Sequence, residues 1–530
     1  MSIDVGVAAA PDELLERLVP VPEGELEAGR PEIVCVDRAL DAITDDALAA
    51  VELSNDPPTL FQRGTTLVRV RAAGAGGTPL IEPMGPDALR GHLARIATWR
   101  GARYGRAGGA LAHVPPPLET VRDLLALPGW PQAAIPPLEG VVECPTFARD
   151  GTLVATPGYH PAAAVVYRPA PGLIVPEVPE QPSPESVQGA LQLLLGDLMG
   201  DFPFKDEASR TNALALLLLP FVRSLIDGPT PLHLIDAAKP GTGKGLLVDA
   251  VHVVAAGRCA EPMPEADDDA EWRKRVFAAL LGDPKFLFID NVNTYVDSGA
   301  LASALTARTM KDRMMGASRT AEVPVRCVWV AAGNNVRMSE ELARRTPLIR
   351  MVAPVEEPWT RPPSDFQHPD LIAWAAAHRG PLIGAALTLC RAWMAAGRPD
   401  GSVAVGSYEP WARVMGGIMG SIGRPDFMAN AAEMTAHASD DATKWRAFVE
   451  RWWAVFGGDV VGAPVLFPLI EAEGFQEGVL GDGNELSRRS KLGRALSRRR
   501  DASFGGLRVL AAGTAGNGGA LYRLEPLAVG

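Results

Sequence analysis

The chain has 530 residues, of which 47% are hydrophobic and 22% are charged, and its formal net charge is −12. This length predicts roughly two to four domains, each able to bury its own core, and the composition is typical of a globular protein in water. The acidic balance excludes a protein coated in nucleic acid. Any DNA contact must therefore come from a local basic patch or from a channel lined within an oligomer.

The five cysteines are scattered without paired spacing, which argues against a disulfide framework or a metal cluster and suits a reducing cytoplasm. The first residues lack a basic start followed by an apolar run, so we expect no signal peptide. The longest apolar run, residues 213–222, is too short to span a bilayer and contains Pro220. We therefore expect no membrane partner.

Residues 1–168 predict a small N-terminal α+β accessory domain with no catalytic constellation. A helical lead-in and a strand at residues 33–36 come first, followed by a hairpin around residues 63–65. The spacing of Leu89, Leu93 and Ile96 predicts a helix ending near residues 99–100, and a second helix is predicted at residues 115–127. Short strands follow as far as residue 160. A proline-dense linker at residues 169–186 and a helical lead-in at residues 187–230 then reach the next domain.

Residues 231–353 open with a strand, a loop of small residues and a helix, the arrangement typical of a phosphate-binding loop. Gly241 and Gly243 allow successive backbone N–H groups to turn toward one point, where the following helix also aims its N-terminal dipole. Lys244 adds a positive charge for the β- and γ-phosphates. A glycine-rich turn in a Rossmann-like unit is the plainer alternative. The predicted nucleotide-binding residues are Ala238, Lys239, Pro240, Gly241, Thr242, Gly243, Lys244, Gly245 and Leu246.

This loop departs from the usual pattern at two positions. Ala238 stands where the first glycine is usual, and a small residue is tolerated there. Gly245 stands where a Ser or Thr hydroxyl normally binds Mg²⁺, which a glycine cannot do. Metal binding is thus only partly explained by the loop.

A second element is the apolar run at residues 286–289, which closes on Asp290. A buried strand that ends in an aspartate, at this distance after a phosphate-binding loop, predicts the carboxylate that orients Mg²⁺. A core strand ending in an ordinary turn residue is the alternative. Asn291 stands where a water-activating glutamate is usual, and an amide orients water but is a poor base. The nearby acids that offer a substitute base are Glu265, Asp267, Asp268, Asp269 and Glu271.

A third element is the buried strand that ends in Asn334 and Asn335, whose amides are placed to reach both a γ-phosphate and the attacking water. Arg344 and Arg345 follow at the end of a short helix. They suit a solvated helix end, or an arginine finger that enters the nucleotide site of a neighbouring subunit.

The order of these elements resembles the AAA+ ATPase domain of phage and plasmid primase–helicases, within superfamily 3, over residues 232–352. The resemblance implies a central α/β P-loop domain with an αβα arrangement, a homo-hexameric ring, and ATP and Mg²⁺ as cofactors. It implies that Lys244 binds phosphate, Asp290 orients the metal, Asn334 or Asn335 is the sensor, and Arg344 or Arg345 acts in trans. It also implies a cytoplasmic protein of a bacterial cell or a phage-infected host.

The same resemblance places a DNA-gripping hairpin before the sensor strand, at residues 309–320. Its candidate DNA-binding residues are Lys311, Arg313 and Arg319, which would line a central channel around single-stranded DNA. A solvated basic hairpin is the alternative.

After a second proline-rich stretch, residues 365–440 predict a helical domain, and residues 442–530 have the helix–helix–helix–hairpin order of a winged helix. The third of those helices, at residues 484–500, is strongly basic, which favours contacts to the phosphates of duplex DNA. An exposed charged helix without a ligand is the alternative. The predicted DNA-binding residues of this third helix are Arg488, Arg489, Lys491, Arg494 and Arg498.

The favoured prediction is an ATP-dependent DNA helicase or replication-initiator ATPase of a phage or mobile element. The alternative is an ATP-binding AAA+ switch or DNA-loading protein with weak hydrolysis and no unwinding, which Gly245 and Asn291 favour. A small-molecule P-loop kinase has little support, because no acceptor-site motif follows the loop.

Overall fold

The computed structural model describes residues 29–527 except 73–78, 106–107, 294, 314–319, 473–483 and 517. The described chain divides into two compact units, the first ending at Glu139 and the second beginning at Gly140. The first unit therefore ends before the predicted boundary at residue 168.

Within its described residues, the first unit contains two three-stranded sheets and three helices. One sheet has the order β1-β5-β6 and the other β2-β3-β4, where β2 and β3 form the predicted hairpin. The helix predicted to end near residues 99–100 instead ends at Ile96, because Ala97 is extended and the following residues pair with β1. The elements are β1 (Glu32–Val34), α1 (Leu40–Ser54), β2 (Leu60–Arg63), β3 (Thr66–Ala72), β4 (Pro79–Pro83), α2 (Pro86–Ile96), β5 (Thr98–Gly105), β6 (Gly108–His113) and α3 (Leu118–Ala126).

The second unit begins with short strands and two helices that lead toward the central sheet. No helix or strand occurs in the described chain between Tyr167 and Pro184, where the proline-rich linker is predicted. The first helix continues directly into a π-helical segment at Gln192–Leu198, and the second is almost entirely buried. The elements are β7 (Gly140–Val142), β8 (Thr146–Phe147), β9 (Leu153–Val154), β10 (Gly158–His160), β11 (Val165–Tyr167), α4 (Pro184–Leu191) and α5 (Glu207–Val222).

The centre of this unit is a five-stranded, all-parallel sheet with the order β13-β14-β18-β12-β20. Its inner strands are buried and mostly apolar, with His233 and Asp236 on β12 as buried polar exceptions. The elements are β12 (Leu232–Ala237), α6 (Lys244–Ala256), β13 (Pro262–Pro264), α7 (Asp269–Leu281), β14 (Phe286–Val292), β15 (Tyr295–Val296), α8 (Gly299–Thr306), β16 (Thr309–Arg313), β17 (Thr320–Pro324), β18 (Val328–Asn334), β19 (Arg337–Met338), α9 (Glu340–Ala343) and β20 (Leu348–Met351).

Parallel strands put their carboxyl ends at one edge of a sheet, and this is where an open α/β sheet binds its ligands. The loop after β12, Asp290 on β14 and Asn334 on β18 are therefore brought to the same edge. The fold is a mixed α/β fold with a parallel sheet and helices.

Helices and a small antiparallel sheet complete the unit. The sheet has the order β21-β24-β23-β22 and packs on Trp445, Phe448 and Leu492. Helix α13 runs without a break across the predicted domain boundary between residues 440 and 442. The elements are α10 (Leu371–Ala377), α11 (Arg379–Ala395), α12 (Glu409–Ser421), α13 (Ala431–Phe456), β21 (Val461–Gly462), α14 (Ala463–Ala472), α15 (Glu485–Arg498), β22 (Ser503–Phe504), β23 (Leu507–Thr514) and β24 (Ala520–Pro526).

In the part of the chain that the structure describes, every helix falls short of the combined length and apolarity that crossing a membrane requires.

Candidate functional site

The loop between β12 and α6 has the backbone geometry of an anion-binding concavity. Gly241 and Gly243 both adopt left-handed conformations, with φ of 71° and 97°, and α6 begins immediately afterwards at Lys244. The Thr242 hydroxyl donates a hydrogen bond to the Lys239 carbonyl at 2.6 Å and fixes the turn. Such alternating conformations aim successive N–H groups at one point, in front of the positive end of the helix dipole.

Lys244 lies between this loop and the end of β18. Its Nζ donates to Asn334 Oδ1 at 2.8 Å and to the Lys239 carbonyl at 3.3 Å. Partial burial lowers the pKa of Lys244, while the carboxylates of Asp236 and Asp290 oppose that shift. The contact joins two residues that the sequence analysis proposed independently.

Asn335 has a different set of contacts. Its Oδ1 accepts from Arg350 Nη2 at 3.0 Å, and the other nitrogen of that guanidinium pairs with Asp236. The second oxygen of Asp236 accepts from the Val336 backbone at 3.1 Å. Burial raises the pKa of Asp236, and the charge of Arg350 opposes that rise. Of the two asparagines, Asn334 contacts the lysine of the loop, while Asn335 is held by Arg350.

Asp236 and Arg350 are site residues that the sequence analysis missed. Each interrupts or ends an otherwise apolar strand, which is the signal that was available. Asp236 is 3% exposed at the end of β12, and Arg350 is on the neighbouring strand β20 in direct register with it. A buried carboxylate needs such a partner, because an unpaired charge in the protein interior is costly.

Asp290 is half-buried at the sheet edge and Asn291 is exposed beside it in a left-handed conformation, with φ of 55°. One oxygen of Asp290 accepts from the Asn291 backbone at 2.8 Å. Among the described residues there is no group of three or more metal-ligating side chains. A single carboxylate fits Mg²⁺ when phosphates and water supply the remaining ligands, so Asp290 is the residue suited to hold it.

Three of the acidic residues proposed as substitute bases, Asp268, Asp269 and Glu271, have contacts at or near the start of α7. Asp268 caps α7 by accepting from the Glu271 backbone at 2.8 Å. Asp269 accepts from the Ser298 hydroxyl at 2.7 Å, and Glu271 pairs with Arg275 at 2.9 Å. These contacts hold the start of α7 in place.

Glu265 differs because it directly follows β13, the strand paired with β14. The register pairs Pro264 with Asp290, which puts Glu265 one residue further along the same edge. Its Oε2 accepts from the Asn293 backbone at 3.0 Å. Asp267 is exposed in the turn that follows.

A segment after β20 covers one side of the loop. Lys239 Nζ donates to the Glu356 carbonyl at 2.7 Å, and a Cβ added at Gly241 would lie 3.2 Å from the backbone nitrogen and Cβ of Trp359. Beside the loop is a cavity of about 380 Å³. Its lining includes Phe202, Gly243, Leu246, Pro358, Leu371 and Ile372. The lining also includes Asp201, Arg361 and Asp370, and a largely apolar cavity with a few polar groups is typical of small-molecule sites.

The two adjacent arginines after α9 differ in exposure. Arg344 is exposed, whereas the side chain of Arg345 is 15% exposed and contacts Glu341 Oε1 at 3.2 Å. Of the two, Arg344 is therefore the one that is open to solvent.

Strands β16 and β17 form the predicted antiparallel hairpin. Lys311 and Arg313 are exposed on it, and Lys311 is paired across the hairpin with Glu322. Between them, Asp312 accepts from Arg273 at 2.7 Å. Arg319 lies outside the described residues.

The predicted basic helix α15 presents two different faces. Arg488 and Arg489 lie over the Phe467 ring, at 5.6 Å and 5.4 Å from its centre, on the same face as the buried Leu492. Lys491 is half-buried and Arg494 is exposed. The side chain of Arg498 is outside the described part of the chain.

No family model and no curated protein matches this chain. It has a distant similarity to the A form apo structure of the NrS-1 C-terminal region, with 12% sequence identity and a TM-score of 0.36. That match covers 90% of this chain and 99% of the other. A similarity at this level carries no functional argument, so function is inferred from the chemistry of the site.

Proposed function

We propose that the second unit is an AAA+-type ATPase that uses ATP and Mg²⁺ to act on DNA as a helicase or replication initiator. The observation that carries the proposal is the contact at 2.8 Å between Lys244 Nζ and Asn334 Oδ1. It brings the loop lysine and the strand-end amide to one point, beside a concavity built for phosphate.

Each residue then has a defined task. The N–H groups of the loop and the Lys244 ammonium bind the phosphates, in place of the contacts that Lys244 makes with Asn334 and Lys239. Asn334, released from the lysine, hydrogen-bonds the γ-phosphate or the attacking water. Asp290 would hold Mg²⁺, which neutralises charge that develops on the phosphates. The nucleoside occupies the adjoining cavity.

The proposed action on DNA has separate support. Exposed Lys311 and Arg313 on the β16–β17 hairpin suit contacts with a phosphate backbone, as does exposed Arg494 on α15. A homo-oligomeric ring is proposed because Arg344 is exposed and would complete the nucleotide site of a neighbour. A hexamer is the ring that the family resemblance implies.

A second candidate, an ATP-binding switch or DNA loader with slow hydrolysis, is favoured by two residues. Gly245 has no hydroxyl for the metal, and Asn291 has no basic group for the attacking water. Both functions need the same nucleotide site and differ in turnover and in its stimulation by DNA.

The test compares Lys244→Ala with Lys274→Ala, a change to an exposed lysine on α7. We expect Lys244→Ala to abolish ATP binding in calorimetry and ATP turnover, and Lys274→Ala to leave both unchanged. ATP binding that survives Lys244→Ala would refute the nucleotide site. Turnover that rises with single-stranded DNA supports the helicase, and turnover indifferent to DNA supports the switch.

A further inference from the structure

The residue that follows Asp290 lies in a β-bulge, and its backbone conformation explains why it is an asparagine. The register between β14 and β18 shifts between Ile289 and Val292, so that two residues of β14 oppose one residue of β18. Asn291 is the second of those two residues and has a φ of 55°. Asparagine adopts this left-handed conformation more readily than glutamate does. Position 291 therefore serves the bend of the backbone, and an acid that activates water must come from another element.

Glu265 lies at the carboxyl edge of the central sheet, beside Asp290. Strand β13 is parallel to β14 with Pro264 opposite Asp290, and neighbouring strands are about 4.8 Å apart. The half-buried side chain of Glu265 extends toward the chain that follows β14, where its Oε2 accepts from the Asn293 backbone at 3.0 Å. The fold thus brings a second carboxylate next to the one that is suited to hold Mg²⁺.

The backbone of Glu265 is held by helix α7. Arg275 Nη1 donates to the Glu265 carbonyl at 2.8 Å and to the Pro264 carbonyl at 3.3 Å. The Nε atom of the same guanidinium donates to Glu271 Oε1 at 2.9 Å, which orients it. These contacts restrict the positions open to the Glu265 carboxylate before a substrate binds, and a catalytic group that is already placed loses less entropy in the reaction.

The other four acids near Asp290 in the sequence are placed differently. Asp268 and Glu271 bond to groups on α7, and Asp269 bonds to groups at the start of α8. Asp267 is exposed in the turn after β13. Of the five, only Glu265 directly follows a strand of the central sheet.

We infer that Glu265 is the general base of ATP hydrolysis in the second unit. This inference rests on the proposed function and adds the group that activates the attacking water. The carboxylate accepts a proton from the water while the water oxygen forms a bond to the γ-phosphorus. The bond from the γ-phosphorus to the bridging oxygen breaks, its electron pair stays on the β-phosphate of ADP, and the accepted proton passes to solvent. The amide at position 291 then ceases to be an argument for slow hydrolysis.

The experiment measures ATP turnover and, separately, ATP affinity of the full chain with Mg²⁺, in the presence and absence of single-stranded DNA. The variants are Glu265→Gln, Glu265→Asp and, as matched control, Glu261→Gln. Glutamine keeps an oxygen that accepts from the Asn293 backbone, so Glu265→Gln removes the base and preserves this structural contact. Glu261 is exposed and immediately precedes β13, at the opposite end of the same strand.

We expect Glu265→Gln to lower kcat about 100- to 10,000-fold, the usual contribution of a general base. Its affinity for ATP should be no weaker than that of the wild type, and its melting temperature should be unchanged. Glu265→Asp retains a carboxylate on a shorter side chain, so its kcat should lie between those two values. Glu261→Gln should match the wild type in all three measurements.

Three results would overturn the inference. The first is a Glu265→Gln variant that keeps the kcat of the wild type, and the second is a loss of turnover accompanied by weaker ATP binding and a lower melting temperature, which marks a structural role. The third is a wild type that binds ATP without turnover in either condition, because a base then has no reaction to serve. Failure of the proposed function is separate, since it appears as ATP binding that survives Lys244→Ala.

Discussion

Gly245→Ser should supply the hydroxyl that the loop lacks for Mg²⁺. Gly245 is the second residue of α6, its φ is not in the left-handed range, and a Cβ built there meets no atom within 4 Å. The new side chain therefore fits without displacing its surroundings. Serine also exceeds glycine in helix propensity, so the fold should gain about 0.5 kcal/mol at most.

The expected gain for Gly245→Ser is that of one charge-assisted contact between the new hydroxyl and Mg²⁺. Such a contact contributes about 1.5–3 kcal/mol, or roughly 10- to 100-fold in the affinity for Mg·ATP. Calorimetry with ATP at a series of Mg²⁺ concentrations measures it. Gly245→Ala is the matched control, because it adds the same Cβ without the hydroxyl. If the serine and alanine variants bind Mg·ATP equally well, the reasoning about the missing metal ligand is refuted.

Three further predictions follow from burial and charge. Arg344→Ala should reduce ATP turnover of the assembled protein and leave the melting temperature unchanged, whereas Arg345→Ala should lower the melting temperature. Reversed effects would contradict the proposal that Arg344 acts on a neighbouring subunit while Arg345 has a structural role. Arg350→Ala should lower the free energy of unfolding by about 3 kcal/mol, because it leaves Asp236 buried without its partner, and adding Asp236→Asn should recover part of that loss in urea titrations. Burial lowers the pKa of His233 from 6.5 to about 4. The contribution of neutral His233 to the free energy of unfolding is therefore fully present above pH 6.5, and it is lost as the pH drops toward 4, by roughly 3 kcal/mol. In unfolding curves at pH 7 and pH 5, the free energy of unfolding of His233→Phe should decline less than that of the wild type. An equal decline in the two proteins would refute the role of His233 in this pH dependence.

Much of the fold was predictable because it depends on local pattern. The apolar runs before Asp290 and Asn334 predict buried strands, and the structure has β14 and β18 there. The antiparallel hairpin around residues 63–65 also follows from alternation and turn residues, whereas the hairpin before the sensor strand was expected only from the family resemblance.

The features of the fold that the sequence did not predict depend on contacts between residues distant in the chain, which the local sequence pattern does not contain. Strand β13 has only three residues and includes two prolines, so it exists only because β14 offers a parallel edge. The helix predicted to end near residues 99–100 stops at Ile96 because β1, distant in sequence, pairs with residues 98–100. The pairing of Asp236 with Arg350 likewise depends on two strands that are adjacent in space and far apart in the chain.

The candidate site likewise has some features that the local sequence pattern predicts and others that depend on contacts between distant parts of the chain. The loop and its lysine were predictable from spacing, but the distinction between Asn334 and Asn335 required coordinates, because it depends on which neighbouring cation each amide meets. The different exposures of Arg344 and Arg345 were also invisible in the sequence.

Helix α13 begins at a polar cluster that holds it against the central sheet. Asn430, just before it, donates to the Leu348 carbonyl on β20 at 3.1 Å, and Glu433 pairs with Lys205 at 2.8 Å. Its far end contributes Trp445 and Trp452 to the core of the small C-terminal domain. With 26 residues the helix is about 39 Å long, so a tilt of about 5° at its start moves its end by about 3 Å. The length of the helix therefore magnifies any tilt that arises where it meets β20 into a larger displacement of the core that contains Trp445 and Trp452.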